Sequence, residues 1–141
     1  MAFLQPVSIE ALNALNRGTI MERLGIVFTA AGEDWLQATM PVDAGTRQPY
    51  GLLHGGASVV LAETLGSSAG NLCVDTGKQV CVGLEINANH LRAVRSGSVT
   101  GTARPLHVGR STQVWEIHIE DEAGRRVCVS RITLAVVPAG T

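Results

Sequence analysis

Between His54 and Asp75 the chain carries a single charged residue, Glu63. The segment around it, GGASVVLAETLGSSAGNL from Gly55 to Leu72, is built of small and aliphatic side chains with a few hydroxyls. The segment reads as the one long helix of the chain. A helix packed on one side alone shows polar residues over about half its circumference, and this one does not. It is expected to be enclosed nearly all round, by its own sheet on one side and by a partner chain on the other. Ala57, Ser58, Ala62, Gly66, Ser67 and Ala69 are small enough for other backbone to come close. A carboxylate in such surroundings is disfavoured in its charged form, and a chain seldom keeps one there without a partner or a task. The plainer alternative is a glutamate whose tip reaches solvent at an edge.

The rest of the chain supplies what such a helix could pack on. SIEALNALN reads as a short helix with Ser8 as N-cap and Ile9, Leu12 and Leu15 on one face. GIVFT is a short strand, and Leu36, Ala38 and Met40 alternate with polar residues in a second. After the long helix, the run from Val80 to Ala88 puts Val80, Val82, Leu84, Ile86 and Ala88 on one face. Val99, Gly101 and Ala103 alternate in a further strand, Trp115, Ile117 and Ile119 in the next, and the turn DEAGR leads into VCVSRITLAVV. Helix, two strands, long helix, then four strands on short connections suits an antiparallel sheet better than βαβ units. The expected class is α+β, a curved antiparallel sheet wrapped around one long helix, and 141 residues fit a single domain spanning 1–141.

Composition excludes several functions. With a net charge of −1 and lysine and arginine nearly balancing aspartate and glutamate, nothing suggests a nucleic-acid surface, and no nucleic-acid partner is expected. No segment approaches membrane-spanning length free of charge, and MAFLQPVSIEALNALNRG lacks the pattern of a signal peptide, so a cytoplasmic protein without a membrane partner is expected. Cys73, Cys81 and Cys128 sit in apolar patterns without metal-type spacing and read as buried free thiols. His54, His90, His107 and His118 show no HExxH or i,i+4 pairing, so neither a metal nor another cofactor is expected. There is no GxSxG elbow, CxxC or P-loop.

The residues preceding the long helix are GLLHGG. A glycine pair at a helix N-terminus exposes backbone N–H groups at the positive end of the dipole, where developing negative charge is favoured. The same pair also serves a tight loop-to-helix turn, and His54 reads equally as a cap, a donor to a ligand or a packed imidazole.

Taken together, QPYGLLHGGASVVLAETLGS, VGLEINANHLR and RPLHVGRSTQVWEIHIEDEAGR resemble the hotdog-fold acyl-CoA thioesterases of the phenylacetate and 4-hydroxybenzoyl-CoA thioesterase branch. Within that branch the chain looks like the 1,4-dihydroxy-2-naphthoyl-CoA thioesterases of menaquinone biosynthesis. The likeness runs from EALNALN to SRITLAVV. It implies a dimer, commonly paired again into a tetramer, that hydrolyses acyl-CoA. It implies that Glu63 is the catalytic carboxylate, base or nucleophile, and that the Gly55 N–H polarises the carbonyl with His54 beside it. Gln48 would orient the thioester or the water, and Ser67, one helical turn after Glu63, would stand near the water or the leaving group. For coenzyme A it implies Gly83, the segment His90, Leu91, Arg92 and Ala93, and the segment His107, Val108, Gly109, Arg110, Ser111 and Thr112, with Arg92 and Arg110 as phosphate contacts. The acyl pocket would draw on Tyr50, Leu53, Val59 and Val60.

A hydratase or dehydratase on the same fold is the nearest rival, but the loop reads QPYGLLHGG rather than an HFPG-like motif. A non-catalytic acyl-CoA sensor is the rival from another class, and the chain has no room for an added DNA-binding segment. Helix geometry adds an independent expectation. Gly55 and Glu63 lie eight residues apart, roughly 12 Å along a helix, and point in different directions. One carbonyl cannot touch both, so the two groups should come from different chains.

Overall fold

The computed structural model describes residues 3–140; Met1, Ala2 and Thr141, at the ends of the expected domain, lie outside the described residues. In chain order the elements are α1 (Ile9–Leu15), α2 (Ile20–Leu24), β1 (Val27–Ala31), β2 (Leu36–Pro41), α3 (Gly55–Leu72), β3 (Gln79–His90), β4 (Ser98–Val108), β5 (Thr112–Glu120) and β6 (Arg126–Pro138). The strands form one six-stranded sheet in the order β1-β2-β4-β5-β6-β3, with every neighbouring pair antiparallel. This is the α+β class expected, and α3 has the bounds read from the sequence.

Period-two patterning puts one side of the sheet against α3. Leu36, Ala38 and Met40 of β2, Val99 and Ala103 of β4, and Trp115, Ile117 and Ile119 of β5 are buried, as are Leu61, Ala62, Leu65 and Ala69 of the helix. Missing side chains set how closely the layers approach. A Cβ at Gly66 would stand 2.5 Å from Cγ2 of Ile132, and one at Gly101 would stand 2.7 Å from Cδ1 of Leu65. The helix is also bonded to the sheet. Asn71 Nδ2 donates to the Cys81 carbonyl at 3.3 Å while the Cys81 N–H donates to Asn71 Oδ1 at 2.9 Å. The buried Gln113 donates to the Gly70 carbonyl at 3.4 Å and accepts from Trp115 Nε1 at 2.8 Å.

Strand β3 departs from the expected pattern. Cys81 is buried whereas Val82 and Leu84 are 45% and 62% exposed. The ladder with β6 shifts between Gly83 and Glu85, so that Gly83 faces Leu134 and Glu85 faces Thr133. Leu84 is the extra residue of a bulge, and it exchanges the faces of everything after it. Cys81 and Gly83 look toward α3 before the bulge, and Ile86 and Ala88 take that side after it. Val80 and Val82 therefore do not share a face with Ile86 and Ala88. The strand also forms an edge of the sheet, paired on one side with β6.

Helix α2 was not anticipated from the sequence. Thr19 caps its first turn, accepting from the Met21 N–H at 3.2 Å, and Gly25 ends it in the left-handed conformation at φ 73°. Buried Asn16 donates to the Ile26 carbonyl at 3.1 Å and fixes the segment to the start of β1.

Candidate active site

The Gln48 loop is tied down at several points before it reaches α3. Thr46 is buried, donates through Oγ1 to the Pro41 carbonyl at 2.7 Å, and accepts the His54 N–H on its own carbonyl at 2.8 Å. Arg47 Nε reaches the Arg95 carbonyl at 3.2 Å and the Leu53 N–H reaches the Val94 carbonyl at 2.8 Å. These bonds draw the loop onto the segment following β3. Gln48 Oε1 accepts the Tyr50 N–H at 2.5 Å, so the NH2 end of its amide is the end that can meet a substrate oxygen or a water.

His54 is the N-cap of α3. Its Nδ1 accepts the Gly56 N–H at 2.8 Å, which assigns the proton of the neutral ring to Nε2. The His54 carbonyl accepts from Ala57 at 3.0 Å and Ser58 at 3.2 Å. Of the first N–H groups of the helix, the one on Gly55 is left without an acceptor in its own turn. The imidazole of His90, at the end of β3, covers the Cα of Gly55; a Cβ there would stand 2.8 Å from His90 Nε2. A groove of about 400 Å³ opens at this end of the helix, lined by Gln48, Leu53, Gly55, Ser58, His90 and Arg92 among others. Leu91 and Ala93 belong to the same wall.

Glu63 lies elsewhere. Its carboxylate rests against Gly83, where a Cβ would stand 2.8 Å from Oε2. It opens into a second groove of about 420 Å³ lined by Ile20, Met21, Val59, Val60, Thr64, Ser67 and Ser68 as well as Glu63. Ser67 is thus beside Glu63, as helical spacing implies, and its carbonyl accepts Asn71 Nδ2 at 2.9 Å. The side of α3 that carries Val59, Val60, Glu63 and Ser67 is half-buried in this chain. Enclosure all round is therefore not provided by one chain.

The predicted residues separate into two sets. Gln48, His54, Gly55 and His90–Ala93 gather at the N-terminus of α3, whereas Glu63, Ser67 and Gly83 gather at its middle. The predicted acyl lining divides likewise: Val59 and Val60 line the Glu63 groove, Leu53 lines the other, and Tyr50 is 84% exposed. The third segment, His107–Thr112, closes the β4–β5 hairpin, with the Gly109 N–H on the Thr112 carbonyl at 2.9 Å and the His107 ring folded over Gly109. Arg110 and Ser111 are exposed at its tip. Thr112 pairs with Ala135 of β6, and His90 pairs with Cys128 of the same strand. Seven residues of strand, roughly 23 Å, separate the two segments expected to meet coenzyme A within one chain.

The sequence reading did not name Ile20 and Met21. Ile20 and Met21 reach the Glu63 groove from α2, whose only sequence signals were the Thr19 cap and the Gly25 stop. His90 was grouped with the nucleotide segment, and no local pattern reveals that it covers Gly55. Burial raises the thiol of Cys73 to about 11, with Cys81 nearby adding to the effect, and burial raises those of Cys81 and Cys128 as well. None of the three is a thiolate at neutral pH. Among the described residues there is no group of three or more His, Cys, Asp or Glu that could hold a metal ion, and no helix is long and apolar enough to cross a membrane.

Residues 50–128 match the family model described as the thioesterase superfamily. The chain is 55% identical over 137 residues to the 1,4-dihydroxy-2-naphthoyl-CoA hydrolase of Escherichia coli K12, covering 97% of this chain and 100% of that protein. It is 56% identical over 137 residues to the proofreading thioesterase EntH of Cronobacter sakazakii, covering 97% and 99% respectively. Its fold superposes on a mutant of thioesterase PA1618 from Pseudomonas aeruginosa with a TM-score of 0.96 and 54% identity, over 98% of this chain and 99% of that one.

Proposed function

The chain belongs to the thioesterase superfamily and is a thioesterase of the hotdog fold, and we propose that it cleaves aromatic acyl-CoA thioesters at sites shared between two copies of the chain. The observation that carries the shared site is the division of the candidate residues between two grooves on one helix. Two copies related by a twofold axis, with their α3 helices side by side, bring the Glu63 groove of one against the Gln48 and Gly55 groove of the other. The exposed edge of β3, with Val82 and Leu84 beside it, supports pairing of the two sheets there. The same arrangement lets His107–Thr112 of one copy and His90–Ala93 of the other approach one nucleotide, with Arg110 and Arg92 on its phosphates. We read the whole chain as one catalytic domain, assembled as a dimer and then as a dimer of dimers.

The chemistry needs no cofactor. The Gly55 N–H and the positive end of α3 hold the oxyanion as water adds to the thioester carbonyl. Glu63 removes a proton from that water, or attacks the carbonyl itself to give a mixed anhydride that water then hydrolyses to regenerate the carboxylate, and Gln48 and Ser67 hold the reacting oxygen in line. The C–S bond then breaks, the thiolate takes up a proton, and carboxylic acid and coenzyme A leave. An aromatic acyl group is supported by the sequence resemblance and by the name of the Escherichia coli relative. The test is release of free thiol from benzoyl-CoA and 1,4-dihydroxy-2-naphthoyl-CoA by the intact protein and by Glu63→Gln. Loss of turnover by at least about a hundredfold with little change in KM is expected; near-normal turnover would remove Glu63 from the mechanism.

A further inference from the structure

The groove beside Glu63 has a wall that belongs to neither α3 nor the sheet. Ile20 and Met21 stand on the five-residue helix α2 and line the groove together with Val59 and Val60 of α3. Glu63 is the one charged residue lining the groove, with Thr64, Ser67 and Ser68 as its hydroxyl groups. An isolated exposed isoleucine needs no explanation. Ile20, however, is 54% exposed and continuous with two half-buried valines around a carboxylate, which makes a contiguous apolar surface with a reactive group at its centre. The helix that presents it is held firmly. Thr19 Oγ1 donates to the Asn16 carbonyl at 2.6 Å and accepts the Met21 N–H, and the Ile26 N–H closes the far end on the Met21 carbonyl at 2.9 Å. Gly25 lies against the Pro41 ring, where a Cβ would come within 2.9 Å.

We propose that Ile20, seated by Met21 on α2, is a specificity-determining residue that contacts the aromatic ring of the acyl group while Glu63 acts on its thioester. The inference rests on the reading that this groove takes an acyl thioester. A flat ring attached directly to the carbonyl extends from the reacting carbon along the apolar walls, and the Ile20 side chain covers one of its faces. A short alkyl acyl group places much less surface against that wall, so α2 discriminates by area of apolar contact.

The measurement is kcat and KM for naphthoyl-CoA, benzoyl-CoA and butanoyl-CoA with the wild-type protein, Ile20→Ser and Ile20→Met. The ratio of kcat/KM for either aryl substrate to that for butanoyl-CoA should fall about fivefold or more in Ile20→Ser, chiefly through KM. It should return to within about twofold of wild type in Ile20→Met, which restores apolar surface. An unchanged ratio in Ile20→Ser overturns the inference, as does an equal loss on aryl and alkyl substrates, which marks a structural role. Failure of the underlying reading looks different: the wild-type protein itself would release no thiol, or would favour butanoyl-CoA over both aryl substrates, and either result removes this assignment with it.

Discussion

Gly83 and Glu63 meet across the helix-sheet boundary so closely that a Cβ on the glycine would stand 2.8 Å from the carboxylate oxygen Oε2. The atom in the way is the end of a flexible side chain, so an alanine there can be accommodated by moving Glu63. On the proposed role of Glu63, Gly83→Ala should lower kcat by about tenfold to a hundredfold, the effect of displacing a reacting group by about 1 Å. The urea midpoint should change little. A variant with full activity would count against a role for Glu63 at this position.

The contact of Gly55 with His90 makes a parallel case at the other groove. A methyl group at position 55 would meet His90 Nε2 at 2.8 Å and Cε1 at 3.1 Å, pushing the ring away or turning the first N–H of the helix. Gly55→Ala should reduce kcat about tenfold or more, and circular dichroism should still report the wild-type helix content. Retention of wild-type turnover would separate the oxyanion from this N–H.

Shared sites have a numerical signature. Glu63→Ala and Gln48→Ala chains, each nearly inactive alone, would form a mixed dimer in which one site carries both lesions and the other is intact. With random pairing about half the dimers are mixed and half of their sites are whole, so co-expression should restore roughly a quarter of wild-type activity. Chains shown to pair, yet no more active together than apart, would place Glu63 in a site with groups of its own chain.

Gly66 predicts a stability effect in which two terms oppose. Alanine is the better helix former by about 1 kcal/mol, but its methyl group would stand 2.5 Å from Ile132 Cγ2, and overpacking of that kind costs about 1 to 3 kcal/mol. Gly66→Ala should be destabilising by urea denaturation. A more stable variant would mean that Ile132 yields easily.

The Cys73 thiol carries a pH dependence whose sign is fixed by its shift. Its folded pKa is about 11 against 9.0 for the unperturbed thiol, so above pH 9 the unfolded chain loses a proton that the folded chain keeps. The contribution of this thiol is constant below about pH 9 and declines toward pH 11. The difference in urea midpoint between the wild-type protein and Cys73→Ala should move in that sense over this window. A difference that stays level would show that the thiol is no more protected than in the unfolded chain.

How much of this was legible follows from the range of each interaction. Helix α3 could be read with correct ends because freedom from charge is a property of consecutive residues. The alternation in β2, β4 and β5 was legible for the same reason. The β3 bulge was not, because Val80, Val82, Leu84, Ile86 and Ala88 keep a perfect period of two in sequence while the backbone inserts Leu84 as an unpaired residue. Helix α2 escaped because five residues are too few to show a period. Glu63 stood out by contrast with its neighbours. The partners that define its surroundings, Gly83 and Ile20, are brought there by tertiary packing, and nothing local marks them.

The seating of α3 divides the molecule into parts with unequal freedom to diverge. A change at Gly66 must be answered at Ile132, and one at Gly101 at Leu65, so the helix and the sheet can drift only in compensated pairs. Helix α2 is held by backbone caps and two polar side chains, and Ile20 itself stays 54% exposed at the rim of the groove. A lineage could exchange that side chain in one step without disturbing the core. New substrate preferences would arise first at this short helix, on a reaction apparatus that stays as it was.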